Sequence, residues 1–538
     1  MKKLISTLVL LSHFILMQAQ PVLVKDIVPG ITGSSPSEFC EMGGKVYFAA
    51  INPDSTYANC LYVTDGTTTG TKKVSSLASN NYAPNNMVTL GNKIIFAYHD
   101  GVHGWEPWIS DGSPGGTLML KDILTGSTSS LFMPLGVIGQ YAYFISSSTS
   151  GLSATSLWKT DGTSTGTAQV SNANFNRAIT FKNKIYCWGK TLTTSENGLY
   201  VIDGVNSLPQ LIKAHKTNSY YDFAVAQGNN KFYYVASDSV HGFEPWVSDG
   251  TTGGTSMIRD FNPGIPSSVD EGGSSNYTVM TTIGDILYFN PVSPAYGREL
   301  WKTDGLDANT ILIKDIEAGT GSSNPKNIIA VGNKVFFSAR VPGFTDGMLY
   351  CSDGTVGNAQ LLDINGKYLK TGDITNFKNT AIISGTVAGQ EDKGIEMYTS
   401  NGTSAGTKLV ADIDSVPYSE GFSSTKRFKY ATATTLYFVG NDGLHGSELW
   451  KYEGGVATIL PQVKDYTNDI TIYPNPATTE LNLTCSTPIK IVEIYNLAGL
   501  LQTVGSENKI DISSMAPGIY FIKISTAGAG STLKFIKQ

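Results

Sequence analysis

Two segments of this chain carry the nucleophile pattern G-x-S-x-G: GTSTG at 162–166 and GTSAG at 402–406, which would make Ser164 and Ser404 candidate acyl-transfer nucleophiles. That chemistry needs a strand-to-helix elbow that exposes the hydroxyl, and no helical pattern follows either serine. Sister segments hold Thr68, Pro114 and Thr252 at the same place, so both serines read as turn residues. His103, His241 and His445 recur in VHGWEPW, VHGFEPW and LHGSELW. Three imidazoles brought together would hold a metal ion, but each sits in its own copy of the segment and reads as a hydrogen-bonded loop residue. Asp65, Asp111, Asp161, Asp249, Asp304 and Asp353 all precede a glycine or lead a turn. Such carboxylates serve either Ca2+ or the backbone N–H groups of the turn, and the spacing lacks the clustered oxygens of a calcium loop. The cysteines are Cys40, Cys60, Cys187, Cys351 and Cys485, with no C-x-x-C pair; only Cys40 with Cys60 is worth weighing as a disulfide. H-E-x-x-H and phosphate-loop patterns are absent. No catalytic residue, metal ligand or cofactor is expected from these patterns.

The elements that must position such residues are themselves repeated. EPWISDGSPGGTLMLKDI at 106–123 returns as EPWVSDGTTGGTSMIRDF at 244–261, and looser copies bring the total to nine. Their aromatic positions are Tyr62, Trp108, Trp158, Tyr200, Trp246, Trp301, Tyr350, Tyr398 and Trp450, spaced 42 to 55 residues apart. A period of about 48 residues belongs with propeller repeats rather than shorter solenoids. Ahead of each copy lies an apolar run, such as KVYFAA at 45–50 or KVFFSA at 334–339, whose lack of strict alternation means that both faces of the strand are covered. A shorter strand and a Gly-Asn-Lys or similar turn come before it, as at 327–334. The unit is four antiparallel strands, and the expected fold is all-β, a propeller of about eight or nine four-stranded blades. In this reading Trp108, Trp158, Trp246, Trp301 and Trp450 wedge between neighbouring sheets. Asp111-Gly112, Asp161-Gly162, Asp249-Gly250 and Asp304-Gly305 then supply tight turns. VLVKDI at 22–27 has the form of a last strand without its own blade and could lock the ring, but VATILPQV at 456–463 competes for that place. The unit around Tyr200 is the weakest copy.

The chain has 538 residues, 41% hydrophobic and 15% charged, enough to bury large cores. Its net charge of −6, with no basic cluster, argues against a nucleic-acid partner. The first nineteen residues place Lys2 and Lys3 before an apolar stretch ending near Met17 and a small Ala19, the layout of a secretory signal peptide with cleavage between Ala19 and Gln20. No later apolar run is long enough to span a bilayer as a helix. A monomer is expected.

The texture changes after a linker at 464–470. Residues 471–538 read as about six short strands in a small Ig-like β-sandwich, opened by Tyr473-Pro474-Asn475-Pro476 and turning again at Ala498-Gly499 and at Gly518. The ordered phrases YPNP, IYNLAG, APGIYFIKI and a terminal KFIKQ resemble the type A C-terminal sorting domain of type IX secretion cargo. The resemblance implies export across the outer membrane, then release or attachment at the cell surface. ELWKTDG at 299 and SLWKTDGTSTGT at 156 resemble the ELWxxDGT repeat family of secreted bacterial proteins, over roughly residues 22 to 460. Gly204-Val205, Asn401 and Glu453 depart from that motif. The family implies architecture and export and brings no reaction. With signal peptide 1–19, propeller 21–463 and sorting domain 471–538, two functions compete. One is a secreted or surface-displayed, non-enzymatic scaffold whose loops, such as NPDSTYAN at 52–59 and PVSPAYGR at 291–298, bind glycan or protein. The other is a secreted propeller enzyme acting on polysaccharide, which needs an unrepeated carboxylate pair.

Overall fold

The computed structural model describes residues 19–53, 59–74, 82–147, 155–191, 195–204, 208–216, 225–269, 278–344, 346–391, 394–413, 428–454, 471–484, 488–496, 501–505, 507–526 and 530–538. The leader up to residue 18, VATILPQV, the linker at 464–470, Val205, Cys485, Ala498-Gly499 and most of NPDSTYAN lie outside them. One compact unit lies within Gln18–Gly455 and a second within Val456–Gln538. Among the described residues the regular structure is β throughout, apart from a 3-10 turn at Asp307–Asn309. Among the described residues no helix is long and apolar enough to cross a membrane.

Among the described residues of the larger unit the strands fall into nine four-stranded antiparallel groups, four of them joined in pairs as a seven- and a nine-stranded sheet, with Asp363–Ile364 and the short hairpin Val292–Ser293 with Gly297–Arg298 outside them. The first runs Ser37–Met42, Lys45–Ile51, Asn59–Thr64 and Lys72–Lys73. Ala168–Phe181 serves twice: its first half closes the third group beside Thr155–Thr160 and its second half opens the fourth beside Lys184–Thr191. The fourth group, which contains Tyr200, is complete, with Gly198–Ile202 as its third strand and Gln210–Ala214 as its last. The ninth group takes its last strand from the other end of the chain: Val22–Lys25 pairs antiparallel with Glu448–Tyr452.

Burial explains why the second and third strands read as unbroken apolar runs. Phe232–Ala236 and Glu244–Ser248 are buried at every position because a neighbouring group covers each face. Each hydrophobic cluster in this unit is shared between two consecutive groups. Tyr47 and Leu61 of the first group meet Phe96 and Tyr98 of the second, and Phe377 and Met397 of the eighth meet Phe438 and Trp450 of the ninth. A ninth cluster joins Tyr437 and Leu449 of the last group to Phe48 and Tyr62 of the first. The architecture is propeller-like: small sheets glued side by side, each incomplete without its neighbours.

Cys40 and Cys60 are both buried free thiols, so the pairing weighed from the sequence does not form. They sit on the first and third strands of one group, with Lys45–Ile51 between them. Two inter-strand steps of about 4.8 Å each exceed a disulfide's reach of about 7 Å between Cα atoms. Cys40 Sγ instead shares a hydrogen bond of 2.9 Å with Thr89 Oγ1.

The second unit packs two sheets, of three and four strands. Thr471–Tyr473 is an edge strand beside Glu480–Thr484, and the four-stranded sheet contains the long hairpin Gly518–Thr526 with Gly530–Lys537. Leu481, Val492, Ile494, Ile512, Ile522 and Phe535, drawn from both sheets, form one core.

Candidate functional site

Antiparallel order separates two ends of every group. The first-to-second and third-to-fourth connections lie at one, the turn end; the second-to-third and group-to-group connections lie at the other, the loop end.

At the turn end the recurring polar residues are bonded to the frame. Asp111 Oδ1 accepts from Ser113 N (2.9 Å) and Ser113 Oγ (2.6 Å), and that hydroxyl accepts from Gly116 N (3.0 Å). Asp65, Asp161 and Asp249 do the same with the threonine two residues on. Asn401 keeps this geometry without the charge. Asp304 accepts from Leu306 N and Asn309 Nδ2. These donors hold the carboxyls of Asp65, Asp111, Asp161 and Asp249 below the usual range. Gly112 has φ +86°, and a Cβ there would collide with the Tyr47 hydroxyl of the preceding group. The lysines of the last strands reach forward: Lys25 Nζ donates to Thr71 O (2.8 Å), Lys121 Nζ to Thr167 O (2.8 Å) and Lys314 Nζ to Ala359 O (2.9 Å). Trp108 lies edge-on to Tyr98, Trp158 on Phe144, Trp246 on Tyr234 and Trp450 tilted on Phe438, each within its own group, and Trp301 lies edge-on to Phe261 of the preceding group; all five pack in or against clusters shared between consecutive groups. Gly162, Gly250 and Gly305, like Gly112, all have positive φ.

The two candidate nucleophiles belong to this end. Ser164 is exposed in its turn. Ser404 Oγ donates to Asp363 Oδ2 (2.9 Å) and accepts from Asp363 N (3.1 Å), stitching its turn to the preceding group. Neither sits before a helix, so nothing builds the elbow that acyl transfer requires.

The loop end contains a device that sequence reasoning missed. The first residue of the EPW or ELW phrase is a fully buried glutamate that clamps the loop following its own group's last strand. Glu106 Oε2 accepts from Ile123 N (2.9 Å) and Ser130 Oγ (2.6 Å). Glu244 takes Phe261 N and both the N–H and hydroxyl of Ser268, and Glu299 does likewise with Ser323. Glu448 accepts from Val28 N (2.9 Å) and Ser34 Oγ (2.5 Å), residues at the opposite end of the chain. Burial outweighs these donors and pushes Glu106 and Glu244 up to about 7; Glu299 and Glu448 are raised for the same reason. A Glu to Ser interval of 24 residues, present in three copies, was the available signal.

The recurrent histidines also lie at the loop end, each paired with the aspartate three residues earlier. His103 Nδ1 to Asp100 Oδ2 is 2.6 Å, His241 Nδ1 to Asp238 Oδ2 is 2.9 Å and His445 Nδ1 to Asp442 Oδ2 is 2.9 Å. They occupy the second, fifth and ninth groups and are not brought together. Among the described residues no group of three or more His, Cys, Asp or Glu is placed to hold a metal ion.

Not everything at the loop end is repeated. Tyr82 stacks on His99 with ring centroids 4.5 Å apart and meets Trp105 edge-on at 5.4 Å. Tyr296 and Phe344 project from other connections, 39% and 45% exposed.

In the tail, Asn475 of the YPNP segment ties the start of the unit to its final strand: its Oδ1 accepts from Ile536 N (2.9 Å) and its Nδ2 donates to Lys534 O (3.1 Å). Tyr473 and Pro474 precede this clamp and Pro476 follows it, while Gly518 opens the hairpin that carries the last strand.

The larger unit is thus an all-β, propeller-like body, and the smaller a two-sheet domain with its own core. Residues 471–538 match the family described as the secretion system C-terminal sorting domain, which marks the chain for export by the type IX secretion system. No curated protein matches the chain. Similar solved structures include a computationally designed protein, Ika8, at 14% identity and TM-score 0.38, covering 68% of this chain and 96% of that one. Another is the β-propeller domain of the Trilobed protease from Pyrococcus furiosus, at 13% identity and TM-score 0.29, covering 70% and 98%. A third, from a study of two prolyl endopeptidases, has 12% identity and TM-score 0.35, covering 67% and 55%. Likeness at this level says nothing about activity.

Proposed function

We propose that this chain is an exported binding scaffold: a nine-bladed β-propeller of ELWxxDGT-type repeats, displayed on the outer-membrane surface or released, that engages glycan or protein through its loop end without catalysis. The nine clusters shared between consecutive groups support the blade count, with Val22–Lys25 as the strand that closes the ring. In this reading residues 1–19 are a signal peptide cleaved before Gln20, 21–463 the propeller, 464–470 a linker and 471–538 an Ig-like sorting sandwich. The repeated Trp, Asp and Gly residues are structural, and Tyr473 to Pro476 with Gly518 belong to the sorting motif read by the type IX machinery.

One observation carries the reading: the recurring polar groups of the turn end are spent on the frame, whereas the exposed aromatic rings among the described residues of the larger unit, Tyr82, Tyr296 and Phe344, lie at the loop end and do not recur. The test screens the full exported chain against immobilised polysaccharides and matrix proteins for capture, and against soluble polysaccharides for hydrolysis. Alanine variants at loop-end Tyr82 and Phe344 and at turn-end Ser164 and Leu306 then map the surface. Capture that is weakened by loop-end changes alone supports the proposal. Turnover of any polysaccharide, or capture that depends on the turn end, overturns it.

A further inference from the structure

The second group carries a platform of three aromatic rings at its loop end. His99 is the last residue of Lys93–His99 and Trp105 the first of Trp105–Ser110, and the two are directly opposite in the ladder. Their rings meet edge-on at 6.0 Å, and Tyr82 stacks on His99 at an interplanar angle of 27° while remaining 43% exposed. The platform is held before any ligand arrives. His99 Nδ1 accepts from Gly101 N (3.0 Å), Trp105 N donates to Ser129 Oγ (3.0 Å), and part of the indole packs on the core below. In the two other groups with the same histidine loop, the place of His99 is taken by Ser237 and Asn441, and that of Trp105 by Phe243 and Ser447. Architecture demands none of these three rings, because groups without them fold with the same four strands.

The loop between the two strands adds a polar group. Asp100 Oδ1 accepts from Val102 N and His103 N, and its Oδ2 holds His103 Nδ1 at 2.6 Å. The imidazole is therefore fixed in orientation and about a third exposed, in the loop that joins the strands carrying His99 and Trp105. Flat aromatic faces with an oriented polar loop between their strands suit a ligand that has an apolar C–H face and a rim of hydroxyls, as a pyranose has. Ionised glycans are disfavoured by the chain's net charge of −6.

We infer that Tyr82, His99 and Trp105, with His103 in the loop that joins the last two, form a binding subsite for neutral pyranose oligosaccharides. The inference rests on the proposed loop-end binding function and names its ligand class. The test titrates the full exported chain with cellohexaose, laminarihexaose, mannohexaose and chitohexaose by calorimetry and tryptophan fluorescence. Variants are Tyr82→Ala, whose ring is on the surface, Trp105→Phe, which keeps an aromatic filler, and Tyr296→Ala on another group as a control. The expected result is that at least one hexaose binds and that Tyr82→Ala weakens it about tenfold or more at unchanged melting temperature, while Tyr296→Ala leaves it alone. Binding that survives Tyr82→Ala but falls with Tyr296→Ala overturns this subsite and leaves loop-end binding standing. So does a chain that captures matrix protein through its loop end yet binds none of the four sugars. Capture abolished by Ser164→Ala or Leu306→Ala overturns both.

Discussion

The two ends of the propeller-like body use polar residues in opposite ways. At the turn end, carboxylates such as Asp111 lie near the surface, accept local N–H and O–H donors and are held in the ionised form. At the loop end, carboxylates such as Glu106 are stripped of solvent and clamp a returning loop, and burial disfavours their charge. The same functional group stabilises a turn in one place and closes a group in the other. The difference is set by solvent access, since Coulombic and hydrogen-bonding effects both grow as water is excluded.

The broadest way to test this contrast is pH, because it acts on many groups at once. The folded-state values of Glu106, Glu244, Glu299 and Glu448 lie above the unfolded glutamate value of about 4.3. Their contribution is fully present below that value and is lost as pH rises through about 7 for Glu106 and Glu244. The turn-end aspartates are lowered, so theirs is present above the unfolded value of about 3.9 and lost as pH falls through the depressed one. Calorimetric melting from pH 3 to 9 should therefore show stability falling from pH 5 to 8 and also below about pH 4. A melting temperature that climbs from pH 5 to 8 would show that the clamps are satisfied as anions.

Glu448→Ala should be the most costly single change, by about 2 to 4 kcal/mol, because it leaves Val28 N and Ser34 Oγ without their acceptor. The affected clamp joins residues 420 and 414 positions apart, so unfolding in guanidinium should also become less cooperative than for Glu106→Ala. Equal effects of the two substitutions would mean that the clamp at the chain ends has no special role in closure.

Gly112→Ala should cost about 1 to 3 kcal/mol through its positive φ and its conflict with the Tyr47 hydroxyl. Tyr47→Phe in the same chain should recover part of that cost, and a double-mutant cycle with no coupling would remove the inter-group contact from the account. Ser164→Ala sets the lower bound, with an expected change within about 0.5 kcal/mol for an exposed turn residue. A larger loss would show that the turn end holds something beyond its frame.

The recurrence of the EPW and ELW phrases, with apolar runs before each, made an all-β body of four-stranded units legible. The spacing alone located second and third strands such as Lys45–Ile51 and Asn59–Thr64. What escaped was contact between segments that no period connects. Nothing local in the EPW phrase says that Ser130 folds back onto Glu106. Tyr82 reaches His99 and Trp105 from the connection before its group, and Asn475 meets Ile536 from the far side of the tail. Cys40 and Cys60 looked like partners because they are near in sequence, yet an intervening strand holds them apart.

The amino-acid order by itself determined the strand class, the length of the repeated unit, the sharp Asp-Gly turns and a separate tail with sorting phrases, since each depends on residues within a few positions of one another. Only the tertiary structure decided that Val22–Lys25 completes the ninth group, that buried glutamates hold the loops, and that three aromatic rings converge at one loop end. These are long-range pairings, and their energy depends on which groups lose water together when the sheets close against one another.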